Sequence, residues 1–252
     1  MTMKTIIPLV LFASFIATAC TSTIDYQQEL AKQSRPAEDI AKDATRHPAE
    51  VLSFFELKKG MKVLDLFSGA GYYSEIVSGI VGKDGKVDAH NNAAYINYIG
   101  PEKMLARYAD NRLSNVREVL QEANDLQLCV SCYDRVLMIL TFHDLYHVDE
   151  KNGWNKIDAP ALLSKIKLSL KPNGLVGIVD HIAPSGSGEQ AGQTLHRIDP
   201  QFIKDKMQQW GFILVGEADF LANTEDSGEL PMWDDTVKGK TNRAVMKFAR
   251  RN

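Results

Sequence analysis

Short apolar runs alternate with amphipathic segments from residue 61 to the C-terminus. The runs predict strands at 63–66, 86–90, 116–119, 135–140, 175–179 and 212–215. Apolar spacings of three and four residues predict helices at 73–82, 101–111, 159–170 and 199–209, with others near 24–44 and after Pro48. Strands that are apolar on both faces and alternate with helices are typical of a doubly wound, mostly parallel α/β sheet.

The C-terminal region departs from this pattern. A long polar connection, residues 221–241, follows the run at 212–215. Residues then alternate between two sets: Ala244, Met246 and Phe248 on one side, and Arg243, Val245 and Lys247 on the other. This alternation predicts a half-exposed antiparallel seventh strand. We therefore expect one α/β domain over residues 48–252, preceded by a linker or accessory helix at 20–47.

The N-terminus has the pattern of an export signal. Lys4 precedes an apolar run from Ile6 to Ile16, and Ala17-Thr18-Ala19 leads to Cys20. The run is shorter than the roughly 20 residues of a membrane span, so removal of residues 1–19 is favoured over a buried helix. Cleavage before Cys20 suits ordinary signal peptidase or a lipoprotein signal, which would anchor the protein by a lipidated Cys20. We expect a periplasmic or membrane-anchored protein of a bacterial envelope.

Composition narrows the possible functions. The 252 residues are 44% hydrophobic and 24% charged, with a formal charge of −3, which excludes a disordered chain or a coiled coil. A weakly acidic chain without a basic patch argues against nucleic acid as a partner. Cys129 and Cys132 lack further zinc ligands and precede a strand, so we expect a structural pair; an oxidising compartment would allow a disulfide, but the sequence leaves the redox state open.

A glycine-rich turn joins the first predicted strand to the first helix after it. Gly69 and Gly71 allow a ligand to approach the backbone, and the helix N-terminus offers free N–H groups. A dinucleotide loop would need glycine where Ser74 stands and an acid near Asn91. The lysine of a P-loop is also missing, so neither of those nucleotide motifs is present.

The segments VLDLFSGAGYYSE, YDRVLMILTFHDLYH and LKPNGLVGIVDH resemble the first, fourth-strand and fifth-strand motifs of class I S-adenosylmethionine (SAM)-dependent methyltransferases. HDLYH, VDH and TLHRIDP are similar to a group of exported bacterial proteins described as predicted methyltransferases. The resemblance implies a Rossmann-like methyltransferase fold with a seven-stranded sheet, and SAM as the cofactor.

The resemblance also implies which residues bind the cofactor. Asn91 and Asn92 stand where the family has its ribose-binding acid, and a neutral amide would bind ribose more weakly. Phe67 replaces the first glycine of the family loop. The implied cofactor-binding residues are Asp65, Phe67, Ser68, Gly69, Gly71 and Tyr72 in the loop, Asn91 and Asn92, Asn124 and Asp125 near the adenine, and Thr141.

Polar residues at three strand or helix ends are the candidate catalytic groups: His143, Asp144, Asp180, His181 and His196. These positions converge over the carboxyl edge of a parallel sheet. Methyl transfer needs positioning and, for an O–H or N–H acceptor, removal of a proton. We expect His181 or His143 to be the base, with Asp144 or Asp180 orienting it or binding the acceptor.

The leading prediction is a SAM-dependent methyltransferase acting on a small molecule. A noncatalytic ligand-binding module on the same fold is the alternative, since SAM is made in the cytoplasm and Asn91 weakens the ribose site. His143 and His147 lie four apart and would share one face of a helix, which leaves a metal-dependent hydrolase or a divalent metal assisting transfer as further interpretations. We assign no metal ligand, and expect Trp233 to belong to a lid.

Overall fold

The computed structural model describes residues 24–31 and 34–251. The predicted signal segment 1–19 and Cys20 lie outside the described residues. The strands are β1 Lys62–Asp65, β2 Lys86–Asn91, β3 Val116–Leu120, β4 Tyr133–Ile139, β5 Leu170–His181, β6 Phe212–Ala218 and β7 Arg243–Arg250. The helices are α1 Tyr26–Leu30, α2 Ala37–Arg46, α3 Pro48–Phe54, α4 Tyr72–Val81, α5 Ala93–Ile99, α6 Pro101–Tyr108, α7 Ala159–Ser169, α8 Gln190–Leu195 and α9 Pro200–Gln209.

The seven strands form one sheet in the order β3-β2-β1-β4-β5-β7-β6. Strands β1 to β5 pair in parallel, and β7 pairs antiparallel with both β5 and β6. This confirms the predicted doubly wound α/β fold. The strand order reverses between β1 and β4, which makes this pair the topological switch point of the sheet. Ligands of open α/β sheets bind in the crevice at such a point.

Strand β7 differs from the prediction of a half-exposed strand. It lies between β5 and β6, so both of its edges are hydrogen-bonded. Val245 and Met246 point to opposite faces, and each is only 1% exposed. Both faces of β7 are covered because helices pack on each side of the sheet.

Two apolar layers hold the helices to the sheet. On one face, Leu162, Leu163 and Ile166 of α7 and Met207 of α9 pack on the strands. On the other face, α3 and α4 pack through a second set of residues that includes Val51, Leu52, Ile76 and Ile80. The apolar spacing that predicted α4 and α7 therefore marks the faces they bury.

Of the residues described before Pro48, helix α1 packs on the domain. Leu30 of α1 belongs to the core layer of α3 and α4. Helix α2 begins at Ala37, directly after Pro36. Within the part of the chain that the structure describes, no helix is long and apolar enough to cross a bilayer.

The Cys129 and Cys132 side chains form a disulfide, which is the state that an oxidising compartment would allow. The bond closes a short loop just before β4. No further cysteine lies among the described residues.

Candidate active site

The glycine-rich turn after β1 is held by the end of β2. The main-chain N–H of Ser68 donates to the carbonyl of His90 (2.8 Å), and that of Gly69 donates to Oδ1 of Asn91 (3.0 Å). The Asn91 amide donates in turn to the carbonyl of Gly69 (3.0 Å) and to Oγ of Ser68 (3.2 Å). The Asn91 side chain therefore fixes the shape of the turn.

Neither asparagine predicted to contact ribose is free in this structure. The three hydrogen bonds of Asn91 go to the turn, and Asn92 caps helix α5 by accepting from the N–H of Tyr95 (3.0 Å). Both side chains are buried, at 1% and 4% exposure. Their role as ribose ligands stays a prediction, whereas their structural role is visible.

A cavity of about 470 Å³ opens beside the turn. Six of the predicted residues line it: Phe67, Ser68, Gly69, Tyr72, Thr141 and His181. Helix α2, the start of β7 and the loop before it add four basic side chains and one carboxylate, namely Lys42, Arg46, Lys238, Arg243 and Asp39. We call this space the loop cavity.

Gly71 and Asp65, at the two ends of the turn, each contact a residue outside it. A Cβ on Gly71 would come within 2.8 Å of the Tyr108 hydroxyl, so glycine is needed there for packing. Asp65 is 2% exposed and accepts a hydrogen bond from Ser74 Oγ (2.6 Å). Burial raises the pKa of Asp65 to about 6, against the opposing effect of that hydrogen bond.

Asn124 and Asp125 lie outside the loop cavity. They belong to a single 3₁₀ turn, Ala123–Asp125, and are exposed. The Asn124 side chain donates to the carbonyl of Lys156 (3.0 Å) and accepts from the N–H of Asp158 (2.9 Å). These contacts fix the start of α7 and occupy the Asn124 side chain within the fold. The implied role of Asn124 and Asp125 near the adenine stays a prediction.

The candidate catalytic residues do converge. His143 Nδ1 lies 2.7 Å from Asp180 Oδ1, and the His143 main-chain N–H donates to Asp180 Oδ2 (2.9 Å). On its other side, His143 Nε2 lies 3.3 Å from Asp144 Oδ1, and His196 Nδ1 is also 3.3 Å from that oxygen. His143, Asp144 and His196 therefore form one cluster. Asp180 orients the His143 ring within it.

His143 and His181 differ in electrostatic environment. Burial lowers the pKa of His143, but the Asp144 and Asp180 carboxylates outweigh it and raise the pKa to about 9. Burial, together with the nearby charges of His143 and Arg243, holds the pKa of His181 well below its usual value. His181 is therefore neutral; it contacts Thr241 Oγ1 (2.6 Å) and faces the loop cavity.

A second cavity, of about 340 Å³, lies over the cluster. We call it the histidine cavity. His143, Asp144 and His196 line it, together with the aromatic rings of Tyr95, Tyr98, Trp154 and Trp233. Tyr95, Leu140 and Met232 line both cavities, so the two spaces adjoin at the switch point between β1 and β4.

Sequence reasoning missed several residues of this site. Tyr95 lies on α5, which has no clear apolar period, yet its hydroxyl donates to Asp144 Oδ2 (2.5 Å) and its ring stacks on Phe67 at 5.1 Å. No sequence signal marked Gly192 of α8 either. A Cβ there would lie 2.7 Å from the His143 carbonyl oxygen, so α8 approaches the turn at His143 closely. The close approach of α8 to the turn at 143–146 is what brings His196 beside Asp144.

The predicted helical pair of histidines does not form. His143–Tyr146 is a 3₁₀ turn, and His147 follows it in extended conformation. The His147 ring packs on that of His196, with centroids 4.3 Å apart. The metal-binding face of an α-helix, on which the metal-dependent hydrolase interpretation depended, is therefore absent at this point.

Comparison with known proteins agrees with this geometry. The family model for protein-L-isoaspartate(D-aspartate) O-methyltransferase matches residues 24–116, which include the glycine-rich turn but stop before the histidine cluster. Among solved structures, a SAM-dependent methyltransferase from Aquifex aeolicus is similar, with a TM-score of 0.60, 21% identity, and coverage of 90% of this chain and 99% of that chain. An arsenic(III) S-adenosylmethionine methyltransferase from Chlamydomonas reinhardtii aligns with a TM-score of 0.55 and 15% identity, over 90% and 73% of the two chains. No curated protein matches the chain.

The fold is thus that of the class I SAM-dependent methyltransferases, as the sequence motifs predicted. The matching family model and the similar solved structures are those of methyltransferases, and for this chain the likeness shows the fold. The likeness to the exported group stays a prediction.

Proposed function

We propose that this protein transfers a methyl group from SAM to a small-molecule acceptor in the bacterial cell envelope. The observation that carries the proposal is the pair of adjoining cavities, one beside the glycine-rich turn and one over the histidine cluster. Methyl transfer is an in-line displacement between two bound molecules, so two sites that meet at a shared wall are what it requires.

The residues of the loop cavity suit SAM, which carries a carboxylate, an ammonium and a sulfonium. Thr141 Oγ1 is buried there without a hydrogen-bond partner and is free to bond to a ligand. Gly69 leaves open space, because a Cβ would meet a single atom, Ile99 Cδ1 at 3.8 Å. Arg46 suits the carboxylate, whereas Lys42 donates to Asp39 (2.8 Å).

The histidine cavity supports a small acceptor with an ionisable hydrogen. When bound, SAM supplies an electrophilic methyl group, so the chain has to hold the acceptor in line and remove its proton. Trp154, Trp233 and Tyr98 provide apolar walls, and a space of about 340 Å³ suits a small molecule. The His143–Asp144–His196 cluster lines the same cavity, next to the proposed position of the acceptor.

The envelope location rests on the export signal in residues 1–20 and on the Cys129–Cys132 disulfide. Disulfides persist in oxidising compartments such as the periplasm. We propose lipidation of Cys20 as the means of anchoring.

Calorimetric titration with SAM, S-adenosylhomocysteine and NAD tests the cofactor. We expect the first two to bind and NAD not to bind, because the chain lacks the third glycine and the ribose acid of a dinucleotide loop. Gly69→Val should abolish SAM binding, since its side chain would occupy space beside the cavity.

Gly60→Val is the matched control for this variant. Gly60 and Gly69 both have positive φ, +76° and +61°, so valine strains the backbone at each by about 1–2 kcal/mol. Gly60 lines neither cavity, and a Cβ there would meet nothing within 4 Å. Equal SAM affinity in the two variants would contradict the assignment of the turn, and no nucleoside binding by the natural protein would favour a noncatalytic module.

A further inference from the structure

One carboxylate oxygen in the histidine cavity is buried without a hydrogen bond. Asp144 is 5% exposed, and its Oδ2 accepts from the Tyr95 hydroxyl, but Oδ1 has no hydrogen-bond partner. A buried carboxylate oxygen is costly unless it is paired, and two imidazole rings face this one. The two nearest nitrogens, His143 Nε2 and His196 Nδ1, lie 3.3 Å away, longer than the roughly 2.7–2.9 Å of a charge-assisted hydrogen bond.

We propose that these three atoms bind a zinc ion. His143 Nε2, Asp144 Oδ1 and His196 Nδ1 all lie within 4.8 Å of one another. Zinc bonds of about 2.0–2.1 Å place neighbouring ligands of a tetrahedral site about 3.3–3.4 Å apart. The two 3.3 Å separations match that spacing, and two histidines with one carboxylate are a ligand set that zinc enzymes use.

Each of two ligands is held by an outer partner, as metal ligands commonly are. Asp180 bonds to Nδ1 of His143 (2.7 Å), which leaves Nε2 free to face the cavity. The Tyr95 hydroxyl bonds to Oδ2 of Asp144 and turns Oδ1 toward both histidines. A carboxylate–histidine pair of this kind fixes the ring and raises its basicity toward a metal.

Three protein ligands leave the fourth zinc position open toward the cavity. Structural zinc sites are closed by four protein ligands, whereas catalytic sites keep one position for a small ligand. An acceptor with a thiol or a hydroxyl group would bind there and release its proton to water, because zinc lowers the pKa of such ligands. This assignment of the acceptor rests on the proposed methyl transfer; the metal site itself does not.

Metal content tests the site directly. The full chain, purified without an affinity tag, is dialysed against a chelator, reloaded with Zn²⁺ and analysed by mass spectrometry for metal. We expect one zinc per chain. Replacement by Co²⁺ should give the intense visible absorption of a tetrahedral site, and 2-mercaptoethanol should add a sulfur-to-cobalt charge-transfer band if the fourth position is open.

Variants identify the ligands. His143→Gln, Asp144→Asn and His196→Gln should each weaken zinc binding by more than the 10–100-fold typical of an outer partner, and Asp180→Asn should weaken it by about 10–100-fold. His47→Gln is the control, because His47 is a partly exposed histidine at the start of α3, outside the histidine cavity. Circular dichroism verifies that each variant is folded.

The outcomes separate the two proposals. Zinc bound without SAM binding would leave the metal site standing and contradict methyl transfer. SAM binding without zinc uptake by the natural protein would overturn the metal site alone. Equal zinc affinity in the natural protein and the three ligand variants would also overturn it, and the cobalt spectrum of the natural protein decides the matter if a variant fails to fold.

Discussion

At the residue scale, three non-glycine residues around the cavities have left-handed backbone conformations. Phe67, Leu140 and His196 have φ of 55°, 62° and 47°. Such conformations cost about 1 kcal/mol or more per residue and are retained where the surrounding structure enforces them. Phe67 and Leu140 line the loop cavity, and His196 supplies a ring to the cluster, so the site retains strain at these three positions.

His90 carries a prediction at the same scale. It is fully buried behind Phe67, and its Nε2 lies 3.0 Å from the Gln121 carbonyl oxygen. Burial lowers its pKa to about 4, against the opposing effect of that hydrogen bond. Because the folded pKa lies below the unfolded value of about 6.5, the stabilisation is complete above pH 6.5 and is lost as the pH falls toward 4.

We expect His90→Gln to lose less stability on acidification, because its amide can donate to the same carbonyl and does not titrate. Between pH 7.5 and 4.5, the natural protein should lose about 2–3 kcal/mol more unfolding free energy than the variant. Urea denaturation at both pH values measures the difference. Asp65 contributes in the opposite direction, because its raised pKa favours the folded state in acid. This contribution is the same in the natural protein and in His90→Gln, so it cancels when the two are compared. Parallel pH profiles would show that His90 is not the source.

At the scale of elements, α3 meets the sheet through a glycine of β5. A Cβ on Gly177 would lie 2.7 Å from ring atoms of Phe55, the residue after α3. Gly177→Ala should therefore lower the free energy of unfolding by about 1–3 kcal/mol, as overpacking does. Thermal or urea unfolding measures the loss.

A double variant that combines Phe55→Leu with Gly177→Ala, compared with each single variant, supplies the control. The smaller side chain makes room for the added methyl, so the double variant should lose less than the sum of the two single losses. Additive losses would mean that the alanine methyl is accommodated elsewhere, and that the contact between Phe55 and Gly177 does not set the position of α3.

At the scale of the whole molecule, the proposed lipid anchor at Cys20 can be tested by cell fractionation. Cys20→Ser should release the protein from the membrane fraction into the soluble envelope fraction, because serine cannot receive the lipid. Immunoblotting of fractionated cells measures this, with Cys129→Ser as a variant that keeps the anchor. Unchanged fractionation would contradict lipidation.

Much of the fold could be predicted because local patterns carry it. Strands β1 to β6 are apolar because helices cover both faces of the sheet. The apolar spacing in α4 and α7 marks the side of each helix that packs on it. For β7 the predicted antiparallel strand is confirmed, but its predicted half-exposure is wrong, because insertion between β5 and β6 buries both faces. The prediction also missed α5 and α8, which are short and form through the Asn92 cap and the close packing at Gly192.

The candidate site was predicted in outline but not in its contacts. The motifs identified His143, Asp144, Asp180, His181 and His196, and the structure brings four of them into one network and turns His181 toward the other cavity. Asn91 was assigned to a ligand, whereas its amide holds the turn. Such partners are not visible in sequence, because they depend on the direction of each side chain.

The sequence by itself determined the class of fold, the glycine-rich turn and the residue types at the carboxyl edge of the sheet. These follow from hydrophobic periodicity and from the backbone freedom of glycine, which are local properties. Only the tertiary structure decided that Asp180 orients His143, that Tyr95 orients Asp144, and that His196 joins them from α8. Contacts between residues so far apart in the chain arise from packing of the whole sheet and its helices, and no local pattern specifies them.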